Sequence, residues 1–271
     1  MPCSPREETH MNRLQLTPQS STGLLPANRF ATALATAESE LGEFPCSVFS
    51  PMHYEPGYAY PLVVWLHDEG EDEHAIKEVM PQISMRNYLA IGVRGTLVHD
   101  SEPAIVSEMG DSYTWRQNHD HTFLAQNRVL EAIDEMRTRF NVHEDRIFLA
   151  GQGAGGTMAF RLAMREPELF AGVASLGGPF PQGDAPLARI ADARRLPLFM
   201  AASCDDETYP ADAVCDDLRL LYAAGMSVTL RHYPSSAPHR DNMLADIDRW
   251  VMELIAGSGQ TSVVPSDRSE S

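Results

Sequence analysis

The sequence predicts an α/β fold, in which one mostly parallel, twisted sheet has helices on both faces. Short apolar segments alternate with longer amphipathic ones along the chain, as expected of strands joined by crossover helices. The segment Leu62–Leu66 is a continuous apolar run, which is typical of a parallel strand covered on both faces. A glycine cluster follows the apolar segment 146–150 and suits a sharp turn from strand to helix.

The predicted strands are short runs rich in Val, Ile, Leu, Phe and Ala, bounded by turn residues. They cover 44–50, 62–66, 88–93, 146–150, 171–176, 197–202 and 227–233.

The predicted helices carry apolar residues at helical spacing. They cover 73–86, 122–140, 156–164, 211–224 and 240–256. In the helix 122–140 we expect Leu124, Val129, Leu130, Ile133 and Met136 to form the buried stripe.

The chain has 271 residues and shows neither an internal repeat nor a linker within its central part. We predict one domain over 28–257. The segments 1–27 and 258–271 are rich in Ser, Pro, Thr and Gln without hydrophobic periodicity, and we expect them to be disordered tails.

A formal net charge of −17 argues against nucleic acid as a partner, because phosphate binding needs a basic face. No apolar run is long enough to predict a membrane span. The cysteines lack the spacing of metal ligands, and the sequence HDH at 119–121 lacks further ligands, so we expect no metal. With free thiols and no signal peptide, the expected location is cytoplasmic.

The glycine cluster fits two motifs. Gly151, Gly153 and Gly156 match G-x-G-x-x-G, the dinucleotide-binding fingerprint, but several strands precede them. After the next strand come Gly177, Gly178 and Pro179, where a ribose-binding carboxylate would be needed. The same residues match the frame G-x-S-x-G of a serine hydrolase, with Gly153 at the serine position. We favour the second interpretation, which needs no cofactor; a dinucleotide-binding enzyme remains the less favoured alternative.

Three further segments extend the hydrolase pattern. YPLVVWLHDEGEDE at 60–73, NVHEDRIFLAGQGAGGTMAFRLAMREPELFAGVASLGG at 141–178 and CDDETYP at 204–210 follow one another in the order that such enzymes use. Together they resemble the esterase branch of the α/β-hydrolases over about residues 44–256. This branch includes phospholipase/carboxylesterases, dienelactone hydrolases and polyhydroxybutyrate-depolymerase-like esterases.

The resemblance implies a catalytic triad without its nucleophile. Gly153 takes the serine position, Asp206 (or Asp205) the acid position and His239 the base position. Cys204, on the acid loop, could also approach His239. Other interpretations remain open: Asp206 could cap the turn before the next helix, and His239 could begin the last helix without a catalytic role.

The resemblance also implies an oxyanion hole made by the Ala154 N–H and the loop after His67, with His67 itself as a residue of the pocket. Asp68 stands there in place of the family's glycine, and Trp115 is a candidate for the pocket wall. Glycine cannot attack an acyl carbon, and a carboxylate at the hole opposes an oxyanion.

We therefore expect a pseudo-hydrolase that binds a small ligand or a protein. The alternative is a weakly active carboxylic-ester hydrolase that uses water activated by His239 or an unidentified nucleophile. The sequence identifies neither a particular ester or ligand nor a protein partner.

Overall fold

A main sheet of eight strands, flanked by helices on both faces, forms the framework of the protein. The computed structural model describes residues 38–39, 45–99, 112–234 and 239–258, and of residues 38, 39, 239 and 258 it describes only the backbone. The predicted tails lie outside these residues, apart from Ser258, which ends the last helix.

Eight strands of the described residues form the main sheet, and β5 and β6 pair separately. Their bounds are β1 Glu38–Ser39, β2 Cys46–Phe49, β3 Tyr60–Leu66, β4 Leu89–Val93, β5 Leu97–Val98, β6 Tyr113–Thr114, β7 Val142–Gln152, β8 Gly172–Leu176, β9 Pro197–Ser203 and β10 Ser227–Tyr233. The order in the main sheet is β1-β2-β4-β3-β7-β8-β9-β10, and the six strands from β4 to β10 in this order are parallel. The predicted parallel sheet is confirmed, with β1 and β2 as an antiparallel edge.

A 3-10 helix at Glu73–Ala75 precedes the first α-helix. The α-helices of the described part are α1 Ile76–Ile83, α2 His119–Arg139, α3 Gly153–Arg165, α4 Ile190–Ala193, α5 Ala211–Ala223 and α6 His239–Ser258. The sequence missed α4, and it placed the start of α3 three residues late. The glycine cluster at the N-terminus of α3 has a low helix propensity, so the sequence alone predicts a loop there.

The alternation of side chains along β3 explains its continuous apolar sequence. Leu62, Val64 and Leu66 pack into the core that includes α2, α3 and α5. Val63 and Trp65 point to the opposite face and pack with α1 and α6. Both faces of β3 are therefore buried, as the sequence predicts.

The buried stripe of α2 differs in part from the prediction. Val129, Ile133 and Met136 are buried as expected, but Leu124 is 38% exposed and Leu130 is only partly buried. Thr122 and Ala125 are buried in the first turns instead, so the face that α2 turns to the core there is rotated relative to the predicted stripe.

Candidate functional site

The candidate site lies at the carboxyl ends of four adjacent parallel strands, β3, β7, β8 and β9, where ligands bind in open α/β sheets. A cavity of about 950 Å³ opens there. Its described wall includes Asp68, Trp115, Gln117, Gln152, Gly153, Ala154, Gly177, Ser203, Asp205, Asp206, Arg240 and Met243.

Gly153 forms the turn from β7 into α3. It is the first residue of α3, and its φ of +50° is in the left-handed region that favours glycine. The same turn brings Gly155 so close to β3 that a Cβ on it would lie 2.2 Å from the Leu66 carbonyl oxygen. The packing of α3 against the sheet therefore accounts for the absence of a side chain at residue 155.

The Asp68 carboxyl group occupies the space that a side chain on residue 153 would fill. A Cβ built on Gly153 would lie 1.9 Å from Asp68 Oδ1, 2.6 Å from Cγ and 2.8 Å from Oδ2. Because all three atoms are closer than real Cβ contacts, the whole carboxyl group would have to move to admit any larger residue. The register of the sheet explains this proximity: Leu66 pairs with Gly151, and Asp68 and Gly153 each follow two residues later.

Two backbone N–H groups donate to one oxygen of Asp68: that of Ala154, which the resemblance assigns to an oxyanion hole, and that of Glu69, in the loop after His67. Ala154 N lies 3.3 Å from Oδ1, and Glu69 N lies 2.7 Å from the same oxygen. Asp68 Oδ2 accepts a hydrogen bond from the Gln152 side-chain amide at 3.3 Å. The partial positive charge at the N-terminus of α3 also favours a carboxylate here. A side chain of the protein thus takes the hydrogen bonds of both N–H groups.

His67 is completely buried and does not belong to the described wall of the cavity. Its Nδ1 donates to the Asp68 carbonyl oxygen at 2.7 Å, and its Nε2 accepts from Gly95 N at 2.9 Å, which defines the tautomer. Burial lowers the pKa of His67, so the ring is neutral near pH 7. His67 therefore holds the loop from inside the protein, unlike the pocket residue that the sequence suggested.

Trp115 connects this loop to the cavity wall. Its Nε1 donates to the His67 carbonyl oxygen at 3.0 Å, and the side chain is 3% exposed. Trp115 both packs in the core and lines the cavity.

The acid loop follows β9 and brings Asp205 and Asp206 to the cavity. Asp206 Oδ1 accepts hydrogen bonds from Thr208 N at 2.9 Å and Tyr209 N at 3.0 Å. Asp206 thus stabilises the turn that leads to α5, as the more conservative interpretation expected, and also lines the cavity.

A buried carboxyl group supports the acid loop from below. Asp217 Oδ2 accepts from the Tyr209 hydroxyl and from Phe180 N, each at 2.8 Å. Burial raises the pKa of Asp217, and the two hydrogen bonds to it act in the opposite direction. The sequence analysis missed Asp217, because one carboxylate inside a helix does not differ in sequence from a solvated one.

His239 is the first residue of α6. Its side chain lies outside the described residues, so the predicted approach of His239 to Asp206 stays a prediction. The next residue, Arg240, lines the cavity, and its Nη2 lies 3.5 Å from Glu71 Oε1. The other oxygen of Glu71 accepts from Asp68 N at 3.2 Å. Glu71 therefore links the start of α6 to the loop that carries Asp68.

Sequence reasoning also missed several polar groups in the cavity wall. The Oγ of Ser203, a residue only 8% exposed, has no hydrogen-bond partner among the described residues, and Gln152 Oε1 and Gln117 Nε2 likewise have none there. Ser203 could have been found from its place at the end of β9, next to the acid loop. Gln117 precedes α2 and had no comparable signal.

Two other segments that the sequence analysis considered are Cys204, whose approach to His239 stays a prediction, and the HDH sequence at 119–121. The exposed Cys204 lies beside His232 of β10, with Sγ 3.6 Å from Nδ1. In the HDH segment, His119 and Asp120 are exposed, and His121 Nδ1 lies 3.0 Å from Thr96 Oγ1.

One group of described residues brings three potential metal ligands together: Asp72, Glu73 and His74. The buried Glu73 forms an ion pair with Arg94, and Asp72 Oδ1 accepts from His74 N at 2.8 Å. The two carboxylates therefore already have partners within the protein.

The fold and the position of the site define the class of protein: the chain has an α/β-hydrolase fold, with its candidate site at the strand ends. A family model described as "Putative esterase" matches residues 40–215. The chain belongs to this esterase family.

Solved carboxylesterases share the fold. The chain is similar to one from Mesorhizobium loti, with 16% identity and a TM-score of 0.61, over 80% of this chain and 98% of that one. For a carboxylesterase from Bacillus cereus the values are 14%, 0.59, 79% and 96%. It also resembles a thermostable esterase, with 19% identity and a TM-score of 0.56, covering 78% of this chain but 58% of the other.

A curated relative is the "Putative esterase NocK" of Nocardia uniformis subsp. tsuyamanensis. It is 33% identical over 82 residues, which are 30% of this chain. The match spans 23% of the length of that relative. No helix in the described part of the chain is long and apolar enough to cross a membrane.

Proposed function

We propose that this esterase-family protein binds a small molecule in the cavity above Gly153 and does not hydrolyse esters through a residue at position 153. The main observation behind this proposal is the position of the Asp68 carboxyl group. Its Oδ1 lies 1.9 Å from the position that a Cβ of residue 153 would take. Gly153 supplies no nucleophile, and Asp68 occupies the space that a nucleophile would need.

Electrostatics support the same conclusion. Ester hydrolysis by acyl transfer places a negative charge on the substrate oxygen, and N–H donors must stabilise it. In this protein Ala154 N and Glu69 N already donate to Asp68 Oδ1. An oxyanion would therefore meet a carboxylate where it needs donors, and the loss of even one donor costs about 10²–10³-fold in rate.

The cavity itself supports a binding role. Its volume of about 950 Å³ is in the range of sites for small molecules, and its wall combines apolar with polar side chains. In this proposal Asp206 (or Asp205) takes the acid position of the family. A protein ligand, and weak ester hydrolysis by water that His239 activates, are the alternatives; neither has a specific contact among the described residues in its favour. The cytoplasmic location stays a prediction from the sequence.

The deciding experiment compares ester hydrolysis by four forms of the full chain: unmodified, Gly153→Ser, Asp68→Gly and the double variant. We expect little or no turnover of short p-nitrophenyl esters by the unmodified protein, and no labelling of residue 153 by a fluorophosphonate. In Gly153→Ser the new side chain must displace the Asp68 carboxyl group, so this variant gains little.

The double variant has both a hydroxyl group and free N–H donors. We expect it to exceed Gly153→Ser by a factor on the order of 10 or more, or about 1.4 kcal/mol in the activation free energy. Rapid hydrolysis by the unmodified protein that His239→Ala abolishes would overturn the proposal and favour the weakly active hydrolase. Binding is tested separately, by an unfolding-temperature screen of small molecules and the loss of any positive shift in a cavity-filling Ala154→Trp variant.

A further inference from the structure

The two oxygens of the Asp68 carboxyl group have different surroundings. Oδ1 accepts two backbone hydrogen bonds, from Glu69 N and Ala154 N. Among the described residues, Oδ2 accepts only the Gln152 side-chain amide, at 3.3 Å. Asp68 is half-buried and lines the cavity, so a molecule in the cavity can approach the less strongly bonded oxygen.

We propose that Asp68 Oδ2 is a nucleophile toward small alkylating molecules that enter the cavity, such as primary alkyl halides. The inference rests on the proposed function in one respect, namely that a small molecule occupies the cavity above Gly153. Carboxylates serve as covalent nucleophiles in several enzyme classes, and this one takes the space of the missing nucleophile at residue 153.

The hydrogen bonds to Oδ1 determine the class of substrate. Attack on an acyl carbon creates a new oxyanion on the substrate, and the donors for it, Ala154 N and Glu69 N, are already used by Asp68. Displacement at a saturated carbon creates no oxyanion on the substrate: negative charge only moves from Oδ2 to the leaving halide. The site therefore favours alkyl over acyl electrophiles.

In the first step an electron pair of Oδ2 forms a bond to the saturated carbon. The carbon–halogen bond breaks, and halide leaves with the bonding pair. The product is an alkyl ester of Asp68, in which Oδ1 is now the carbonyl oxygen. No redox partner is needed, because the charge of the carboxylate is transferred to the halide.

The same donors then suit hydrolysis of this ester. Water attacks Cγ of Asp68, and the negative charge develops on Oδ1, which already lies 2.7 Å from Glu69 N and 3.3 Å from Ala154 N. The tetrahedral intermediate expels the alcohol, which retains one proton of the water, and the other proton passes to solvent. The Asp68 carboxylate is regenerated with one oxygen from water.

The test uses the full chain and 1-bromobutane as the probe. We expect mass spectrometry to show a butyl ester on the peptide that contains Asp68, at least tenfold above that on any other carboxylate. Hydroxylamine cleaves this ester but not a thioether on cysteine, which separates the two products. In heavy-oxygen water, turnover should place one heavy oxygen in Asp68 and release bromide.

Asp68→Asn removes the nucleophile at nearly constant size and should abolish both the ester and the enzymatic bromide release. The matched control is Asp134→Asn, which changes a carboxylate of α2 that is 76% exposed and outside the described wall of the cavity, and which should react like the unmodified protein. If Asp68→Asn does not fold, the peptide map and oxygen incorporation of the unmodified protein decide alone.

Absence of an Asp68 ester together with absence of heavy oxygen in Asp68 would overturn the inference. An ester spread evenly over exposed carboxylates would do the same. Either result leaves the proposed function intact, because that proposal is judged by ester hydrolysis in the Gly153→Ser, Asp68→Gly double variant and by reversible binding.

Discussion

The loop that carries Asp68 and the acid loop that carries Asp206 use similar local chemistry for different purposes. In each, one carboxylate oxygen accepts two backbone N–H groups. Asp206 takes both donors from its own loop, two and three residues further along the chain. Asp68 takes one donor from the next residue and the other from Ala154, at the start of α3.

This difference separates a local from a tertiary role. The hydrogen bonds of Asp206 form a turn before α5, beside the cavity. Those of Asp68 connect two elements and hold a carboxyl group in the space beside Gly153; we call residues 68 and 153 the nucleophile corner, after the role that the resemblance implies. In the proposed assignment, the acid loop keeps the family's arrangement and the nucleophile corner does not.

The largest effect should come from replacing Asp206 in a variant that has serine at position 153 and glycine at position 68. In the Gly153→Ser, Asp68→Gly variant, we expect Asp206→Ala to reduce ester hydrolysis on the order of 10²–10⁴-fold, because the acid orients and stabilises the base. The matched control Asp205→Ala should change kcat/KM by no more than about twofold. Equal losses in the two variants would show that the acid loop does not have the assigned role.

The stability of the nucleophile corner is the second test. Gly153→Ala should lower the free energy of unfolding by about 2–4 kcal/mol, since it combines a positive φ with a clash against Asp68. With Asp68→Gly present, the cost should fall by about 1–2 kcal/mol. The measurement is chemical denaturation of the four forms.

Gly57→Ala provides the matched control for this cycle. A Cβ on Gly57 would have no neighbour within 4 Å, so we expect a change within about 0.5 kcal/mol. Additive effects of Gly153→Ala and Asp68→Gly would contradict the assigned contact between residues 68 and 153.

The smallest effect concerns the support of the acid loop. Tyr209→Phe removes the hydroxyl donor to the buried Asp217 and should cost about 1–2 kcal/mol at pH values above the folded pKa of Asp217, where the hydroxyl donates to a carboxylate. Tyr222→Phe, at a side chain that is 60% exposed, is the control and should have almost no effect.

The pKa of Asp217 determines the direction in which this last effect changes with pH. Burial raises the pKa of Asp217, so just above the ordinary carboxyl pKa the folded state binds more protons than the unfolded state. The contribution of Asp217 to stability is then present at lower pH and is lost as the pH rises through its folded pKa. The cost of Tyr209→Phe should decrease toward acid pH; a cost independent of pH would contradict ionisation of Asp217 in the folded protein.

The sequence by itself determined the framework. Apolar periodicity predicted the parallel sheet, because each strand and helix must bury its own face. The order of the motifs placed Gly153, Asp68 and Asp206 at neighbouring strand ends. The turn at Asp206 was also readable, since its donors lie within three residues.

The tertiary structure decided how these positions interact. The register that pairs Leu66 with Gly151 brings the Asp68 carboxyl group into the space beside Gly153, although the two residues are far apart in the chain. It also buried the His67 ring and joined Glu71 to Arg240. The physical reason is that hydrogen bonds within a turn depend on a few consecutive residues, whereas contacts between strand ends depend on how the whole sheet pairs.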